Sequence, residues 1–363
     1  MANFLQHRWQ LQAGDVVGIQ LPNSLHYPIA VLACWKIGAI ISNINPLYTA
    51  RELEYQLSDT QAKALIVSDL FVDTFEKVLQ QQPKLNTFKL LTASLSEFFP
   101  APIQQQLAQH FSEQAKQQQR CSTPSVPFEC FADALAQGAA LAPYRAQQHA
   151  TAVYQYTGCT TKRSKGAIIS HQNLIYLIAM MAHYLEAYNR PIDQQQCILT
   201  AIPLYHIFAF TVNFLSFMQA GGHNVLIPSL RPMQNLKPAF EQFNITWLTG
   251  VDTLYAGLLA EDWFVEHPPQ LNCAIAGGTA LRPSIAERWT QIVGPILEVY
   301  GMTETSCAAL MHPPITDIRR GSIGFPFPGS TIKIIDAQGQ ELGVDQAGEL
   351  CARPTYCCGL FKS

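Results

Sequence analysis

"TAVYQYTGCTTKRSKGAIISHQNLIYLIAMMAHYLEA", residues 151–187, decides how the chain folds. TAVYQYT alternates and reads as a strand. GAIIS reads as a second strand, and QNLIYLIAMMAHYLEA as a helix rich in apolar residues. Between the strands, residues 156–166 gather the hydroxyls of Thr157, Thr160, Thr161 and Ser164, the glycines Gly158 and Gly166, and three cations that include Lys165. Backbone N–H groups and hydroxyls around a tight turn make an anion-binding nest. Glycine permits the close backbone approach such a nest needs, and Lys165 can neutralise anionic oxygens. The order Ser-Lys-Gly is not that of a Walker loop, and G-x-G-x-x-G is absent. From spacing alone, a phosphate loop and a Thr-rich surface turn stay equally open.

The same rhythm extends in both directions. DVVGIQLP (15–22) and AKALIVSD (62–69) read as strands, and residues 26–41, 51–60 and 70–82 as helices. CILTAIP (197–203), HNVLIP (223–228), ITWLTG (245–250), CAIAGG (273–278) and ILEVYG (296–301) read as further strands, mostly with helices between. Alternating strands and helices predict an α/β fold with parallel or mixed sheets. Residues 98–128 are Gln-rich, with Pro100, Pro102, Pro124 and Pro127, and read as a surface excursion. From 320 the texture changes to Gly/Pro turns, short alternating strands and a DAQG hairpin signal. The expected organisation is a first α/β subdomain over 1–150, a second over 151–319 that carries the motifs, and the start of a small β subdomain over 320–363.

Composition narrows the function. Charged residues make up 13%, about half the usual share, and the net charge of −3 implies no bulk attraction to nucleic acid. The longest apolar runs, 29–41 and 207–218, are too short to span a bilayer. No secretory leader is visible at MANFLQHRWQLQAGD, so a cytoplasmic location is expected. The ten cysteines show no zinc spacing and read as small buried hydrophobes.

Three further constellations follow strands. In GGTALRPSIAERW (277–289), two glycines end a strand and Pro283 starts a helix. Gly278, Thr279 and Ala280 could seat a flat ring on exposed backbone, or simply turn the chain. In YGMTETS (300–306), Tyr300 could stack on a base, with Gly301 and Met302 forming the turn beside it. Thr303 could bond a phosphate and Glu304 could give Mg²⁺ an oxygen ligand; a capped turn with a solvated Glu is the alternative. In PLYHIFAF (203–210), His206 sits between a strand end and an apolar helix, as a reactive or a structural histidine.

The order of these motifs carries a resemblance. YTGxTT with SKG and SH, then PLYH, GGTAL, YGMTET and GxPxPG, resembles the signature series of AMP-forming acyl-CoA synthetases in the adenylate-forming superfamily. The stretch LPNSLHYPIAVLACWKIGAIISNINPLYTARELEYQLSDTQAKALIV (21–67), above all NPLYTARELEYQL, is similar to bacterial long-chain fatty acid CoA ligases. The likeness covers nearly the whole chain.

That resemblance implies a two-step ligase. A fatty acid carboxylate attacks the α-phosphorus of Mg·ATP to give acyl-adenylate and pyrophosphate, and the CoA thiolate then displaces AMP. ATP and Mg²⁺ are the implied cofactors and CoA the co-substrate. Thr157, Gly158, Thr160, Thr161, Ser164 and Lys165 would hold the β- and γ-phosphates. Gly278, Thr279 and Ala280 would line the adenine, with Tyr300, Gly301 and Met302 beside it. Thr303 would touch the α-phosphate, Glu304 and Thr157 would serve Mg²⁺, and His206 would stand near the reacting carboxylate. A fatty-acid substrate is compatible with peripheral contact at the inner membrane face, although no amphipathic basic helix argues for it. Oligomeric state is not legible.

The chain departs from the family pattern at Cys159 and Lys162, where glycine is usual, and after GELCARPTYCCGLF, where the ribose aspartate, hinge and C-terminal lid would follow. The resulting expectation is a core truncated at both ends with impaired activity. The competing readings are a non-catalytic nucleotide or acyl binder, and a CoA-independent adenylating enzyme.

Overall fold

The computed structural model describes residues 1–82, 88–107, 109, 124–157, 164–314, 318–319, 321–354 and 359–360. Gly158, Thr160, Thr161, Cys159 and Lys162 therefore lie outside the described residues, as do 108 and 110–123 of the Gln-rich stretch. The chain divides into two compact units. The first comprises Met1–Ser170 with Leu360–Ser363, and the second His171–Gly359.

The first unit is built on β1 (Val16–Gln20), β2 (Ile40–Asn43), β3 (Ala64–Ser68), β4 (Lys89–Ala93), β5 (Glu129–Cys130), β6 (Thr151–Tyr156) and β7 (Gly166–Ser170). They lie in the order β7-β6-β2-β1-β3-β4-β5, with a two-residue strand ending at Leu360 edging β7. Every neighbouring pair from β6 to β5 is parallel; β6 and β7 are antiparallel. All residues of β1, β2 and β3 are buried, as befits strands covered on both faces. The run 26–41, expected as one helix, splits into helix α1 (His26–Lys36) and strand β2. Gly38, at φ +73°, turns the chain beyond the helix end, and the β-branched Ile40 and Ile41 then pair with β1.

Helix α2 (Ala50–Asp59) begins with a capping box. The Thr49 N–H donates to Glu52 Oε2 at 2.8 Å, and the Glu52 N–H donates to Thr49 Oγ1 at 3.4 Å. Its buried Leu53 and Leu57 pack with Phe75, Val78 and Leu79 of helix α3 (Val72–Gln81) in one core cluster.

The second unit holds a seven-stranded sheet of β8 (Cys197–Thr200), β9 (His223–Leu226), β10 (Trp247–Gly250), β11 (Cys273–Gly277), β12 (Ile296–Tyr300), β13 (Leu310–Met311) and β14 (Phe325–Pro326). The order is β14-β13-β12-β11-β10-β8-β9, parallel from β12 to β9 and antiparallel beyond β12. Helix α4 (Asp252–Leu259) and helix α5 (Pro283–Ile292) supply its core with Tyr255 and Trp289, whose ring centroids lie 4.7 Å apart, and Phe264 stacks on Trp289 at 5.5 Å. β15 (Ser330–Ile335) and β16 (Glu349–Pro354) form the antiparallel hairpin that the 320–353 texture predicts.

The sequence places 151–170 with the second subdomain. In the structure β6 and β7 extend the first sheet, and the first compact unit runs through Ser170. The α/β class with mixed parallel and antiparallel sheets is as expected. No helix among the described residues is long and apolar enough to cross a membrane.

Candidate functional site

In the first unit, the hydroxyl loop joins the antiparallel pair β6 and β7, in which Tyr156 stands opposite Gly166. Its shoulders close on each other. The Thr157 N–H donates to the Lys165 carbonyl at 3.0 Å, and the Lys165 N–H reaches Thr157 Oγ1 at 3.4 Å. Thr157 and Ser164 are half-buried and Lys165 is exposed. Helix α2 grips both shoulders. The Tyr156 hydroxyl donates to Asp59, and the Tyr55 hydroxyl donates to the Ser164 carbonyl at 3.2 Å.

In the second unit, four parallel strands deliver the other motifs to one sheet edge. β12, β11, β10 and β8 are consecutive neighbours, and their C-terminal ends carry Tyr300 to Glu304, Gly278 to Ala280, Asp252, and the turn to His206. β8 connects to β9 on one side and β10 to β11 on the other, so chain direction across the sheet reverses between β8 and β10. Open α/β sheets bind ligands at such a switch point. The register sets Gly277 opposite Val299, so the Gly278 turn leaves the sheet beside Tyr300.

Gly278 has φ +78°, and Thr279 and Ala280 follow it on the exposed surface. A Cβ at Gly278 would meet only Val251 Cγ1, at 3.7 Å, so the backbone angle, not crowding, asks for glycine. The turn is held from behind by Asp252. Its carboxylate accepts the Arg282 N–H at 3.0 Å, Nε at 2.8 Å and Nη2 at 2.8 Å. This pairing with Arg282 holds the Asp252 carboxyl below the usual carboxylate range.

Gly301 is glycine for the opposite reason. A Cβ there would lie 1.7 Å from the Cys307 carbonyl oxygen. The chain doubles back so tightly because Thr303–Thr305 form a 3₁₀ turn, and the next two residues take positive φ, Ser306 at +58° and Cys307 at +140°. Two consecutive non-glycine residues in that region are uncommon and cluster at functional sites. The turn is pinned by the Met302 N–H to Thr305 Oγ1 at 3.1 Å, the Ser306 N–H to the Thr303 carbonyl at 3.0 Å and the Ala309 N–H to the Tyr300 carbonyl at 2.9 Å. Tyr300, Thr303 and Glu304 are half-buried, and Met302 is exposed.

His206 opens the apolar helical stretch, its carbonyl accepting the Phe210 N–H at 2.9 Å. The Phe208 N–H donates to His206 Nδ1 at 3.3 Å, which requires that nitrogen to be unprotonated. The residue reaches solvent, yet desolvation of its ring lowers its pKa below the ordinary imidazole value. Both point to a neutral ring with its proton on Nε2. Among the described residues, no group of three His, Cys, Asp or Glu could hold a metal ion alone.

The AMP-binding enzyme family matches residues 1–359. The chain belongs to that family. The long-chain-fatty-acid–CoA ligase of Salmonella typhimurium is 33% identical over 372 residues, covering 99% of this chain and 64% of the relative. The chain thus spans about two-thirds of the length of that curated relative (64%). Among solved structures, the anthranilate CoA ligase AuaEII in complex with anthranoyl-AMP superposes with a TM-score of 0.82 at 21% identity, covering 100% of this chain and 64% of that one. The O-succinylbenzoate–CoA synthetase MenE of Bacillus subtilis, in complex with ATP and magnesium, gives 0.73 at 22% identity, covering 100% and 65%. At those identities the structures establish the fold of this AMP-binding family member.

Sequence reasoning singled out Tyr300, Thr303, Glu304, His206 and the 278–280 turn, and the second sheet brings all of them to one edge. It missed Asp252 and Arg282, which hold the 278–282 turn, and Tyr55 and Asp59, which hold the hydroxyl loop. A carboxylate two residues past the end of a strand was the available signal for Asp252; the α2 residues gave none.

Proposed function

We propose that this chain carries the acid-activating core of a long-chain-fatty-acid–CoA ligase, with MgATP, a fatty acid and CoA as substrates. The observation that supports it most is the similarity to the Salmonella ligase over 99% of the chain, together with three of the motifs at the strand ends of the second sheet. In the first step a carboxylate oxygen attacks the α-phosphorus, the bond to the β-phosphate bridging oxygen breaks, and pyrophosphate leaves. In the second, the CoA thiolate attacks the acyl carbon and AMP departs with the C–O bonding electrons.

The charge that develops is phosphate charge, so positioned donors and cations do most of the work. Lys165 supplies positive charge to the terminal phosphates, with Thr157 and Ser164 as hydroxyl donors. The Gly278–Thr279–Ala280 backbone and the Tyr300 ring receive the adenine. Thr303 donates to the α-phosphate. Glu304 and Thr157 offer oxygen ligands to the magnesium carried by ATP. His206, neutral and protonated on Nε2, offers a hydrogen bond to the incoming carboxylate without attracting it as an ion partner.

Peripheral membrane contact and a cytoplasmic location are part of this proposal, as properties compatible with a fatty-acid substrate. The loss of activity expected from Cys159 and Lys162 rests on positions outside the described residues. The relatives favour the ligase over a non-catalytic binder.

The test is exchange of labelled pyrophosphate into ATP, dependent on a long-chain fatty acid. Exchange should rise with oleate and fall by about 100-fold or more in Glu304→Gln, with the melting temperature unchanged. A folded chain that shows no fatty-acid-dependent exchange overturns the proposal.

A further inference from the structure

The helical stretch after His206 is wound unusually. Ala209–Ser216 is π-helical, a geometry that is rare and found often at functional sites. All eight of its residues are buried, and one of them is an asparagine. Asn213 has no exposed surface and spends both ends of its amide on the sheet. Its Nδ2 donates to Thr200 Oγ1 at 3.0 Å, at the last residue of β8. Its Oδ1 accepts from Thr249 Oγ1 at 2.8 Å, in β10. Its backbone carbonyl accepts Asn224 Nδ2 at 2.6 Å, in β9, and Thr200 Oγ1 closes the circuit on Asn224 Oδ1 at 2.5 Å. Asn213 thus bridges β8 and β10, the parallel strands between which the order of chain connection reverses.

Two residues earlier, Thr211, also fully buried, donates its hydroxyl to the Ser306 carbonyl at 3.4 Å. Ser306 is the left-handed residue that ends the Thr303–Thr305 turn. A second internal bond, from Ser216 Oγ to the Thr211 carbonyl at 2.9 Å, takes up backbone that the wide helix leaves open. One fixed element therefore has the sheet at its middle, His206 at its start and the Glu304 turn on its flank.

We propose that Asn213 and Thr211 are positioning residues for acid activation. Asn213 sets the depth of the π-helix against the sheet, and Thr211 transmits that setting to the strained turn that presents Thr303 and Glu304. Ordinary core helices are held by apolar contact. A buried polar circuit of this kind fixes direction as well as depth, because each hydrogen bond is directional. The inference rests on the proposed ligase reading for its catalytic consequence, and on the geometry alone for its structural one.

The experiment compares wild type with Thr211→Val, which keeps the shape and removes the hydroxyl, Thr211→Ser, which keeps the hydroxyl, and Asn213→Asp, which removes the donor to Thr200. Amide hydrogen exchange of the 300–309 segment is the first readout. Thr211→Val should speed exchange there while thermal melting and the exchange of α5 stay as in wild type, and Thr211→Ser should restore protection. Fatty-acid-dependent pyrophosphate exchange is the second. Thr211→Val should lower kcat about tenfold or more with little change in the KM for ATP, and Thr211→Ser should recover it. Unchanged protection of 300–309 in Thr211→Val overturns the proposal whether or not the chain turns over. Lost protection with no activity in any form, wild type included, leaves the brace standing and counts against the ligase reading instead.

Discussion

The Tyr156 hydroxyl donates a hydrogen bond to the Asp59 carboxylate, tying the last residue of β6 to the last residue of α2 just before the hydroxyl loop begins. Burial, followed by the hydrogen bond and the charge of Asp59, raises the Tyr156 pKa well above the usual phenol range. The phenol therefore stays a donor at every physiological pH. Tyr156→Phe removes that donor and should cost about 2 kcal/mol of unfolding free energy, the range for hydrogen bonds to charged groups. Urea denaturation measures it. The apparent KM for ATP should rise more than kcat falls if the hydroxyl loop binds phosphate as proposed, because the change loosens one of its shoulders. A variant as stable as wild type would show that solvation of Asp59 offsets the bond.

Gly301 and Gly278 should respond differently to alanine. At Gly301 the new Cβ has no room, with the Cys307 carbonyl at 1.7 Å and the Ala308 Cα at 2.8 Å. The turn must open, at a cost of about 3 kcal/mol or more, the upper range for overpacking. At Gly278 the space is open and only the positive φ is strained, at about 1 kcal/mol. Thermal or chemical unfolding of the two variants decides it, and equal losses would contradict the reading.

His206 makes a signed prediction. Desolvation lowers its pKa in the folded chain, so in the acid range the unfolded chain binds a proton that the folded one refuses. Its contribution is fully present above the ordinary imidazole value of about 6.5 and is lost as pH falls from there through the lowered folded pKa. Stability should therefore drop less between about pH 7 and about pH 5 in His206→Gln than in wild type. Parallel curves for the two proteins would sink the assignment of a neutral ring.

The buried thiols should be inert. Burial pushes Cys34, Cys273 and Cys307 up to about 12, so almost no thiolate forms at neutral pH. Alkylation with iodoacetamide, mapped by mass spectrometry, should leave these three unmodified in the folded protein. Cys130 and Cys351 are only half-buried and should react ahead of them. Rapid labelling of Cys307 in particular would mean that the strained turn opens in solution.

Much of the fold was legible because its signals are local. Strand and helix period, the glycine that ends β11 and the one that follows β12 all act within a few residues. The split of 26–41 was not legible, since the apolar run satisfies a helix and a buried strand alike, and pairing with β1 settles it. The assignment of 151–170 to the first sheet likewise depends on β2, which lies more than a hundred residues earlier and offers β6 its backbone partners.

The sequence by itself determined the class of fold and named Tyr300, Thr303, Glu304, His206 and the 278–280 turn as candidates, through short constellations whose order along the chain carried the family resemblance. Tertiary structure alone decided what holds them: Asp252 on Arg282, Asp59 on Tyr156, and Asn213 on Thr200 and Thr249. Each of these is a contact between residues 13 to 97 positions apart. A directional hydrogen bond exists only once the sheets have brought donor and acceptor within about 3 Å, and no local pattern records that distance.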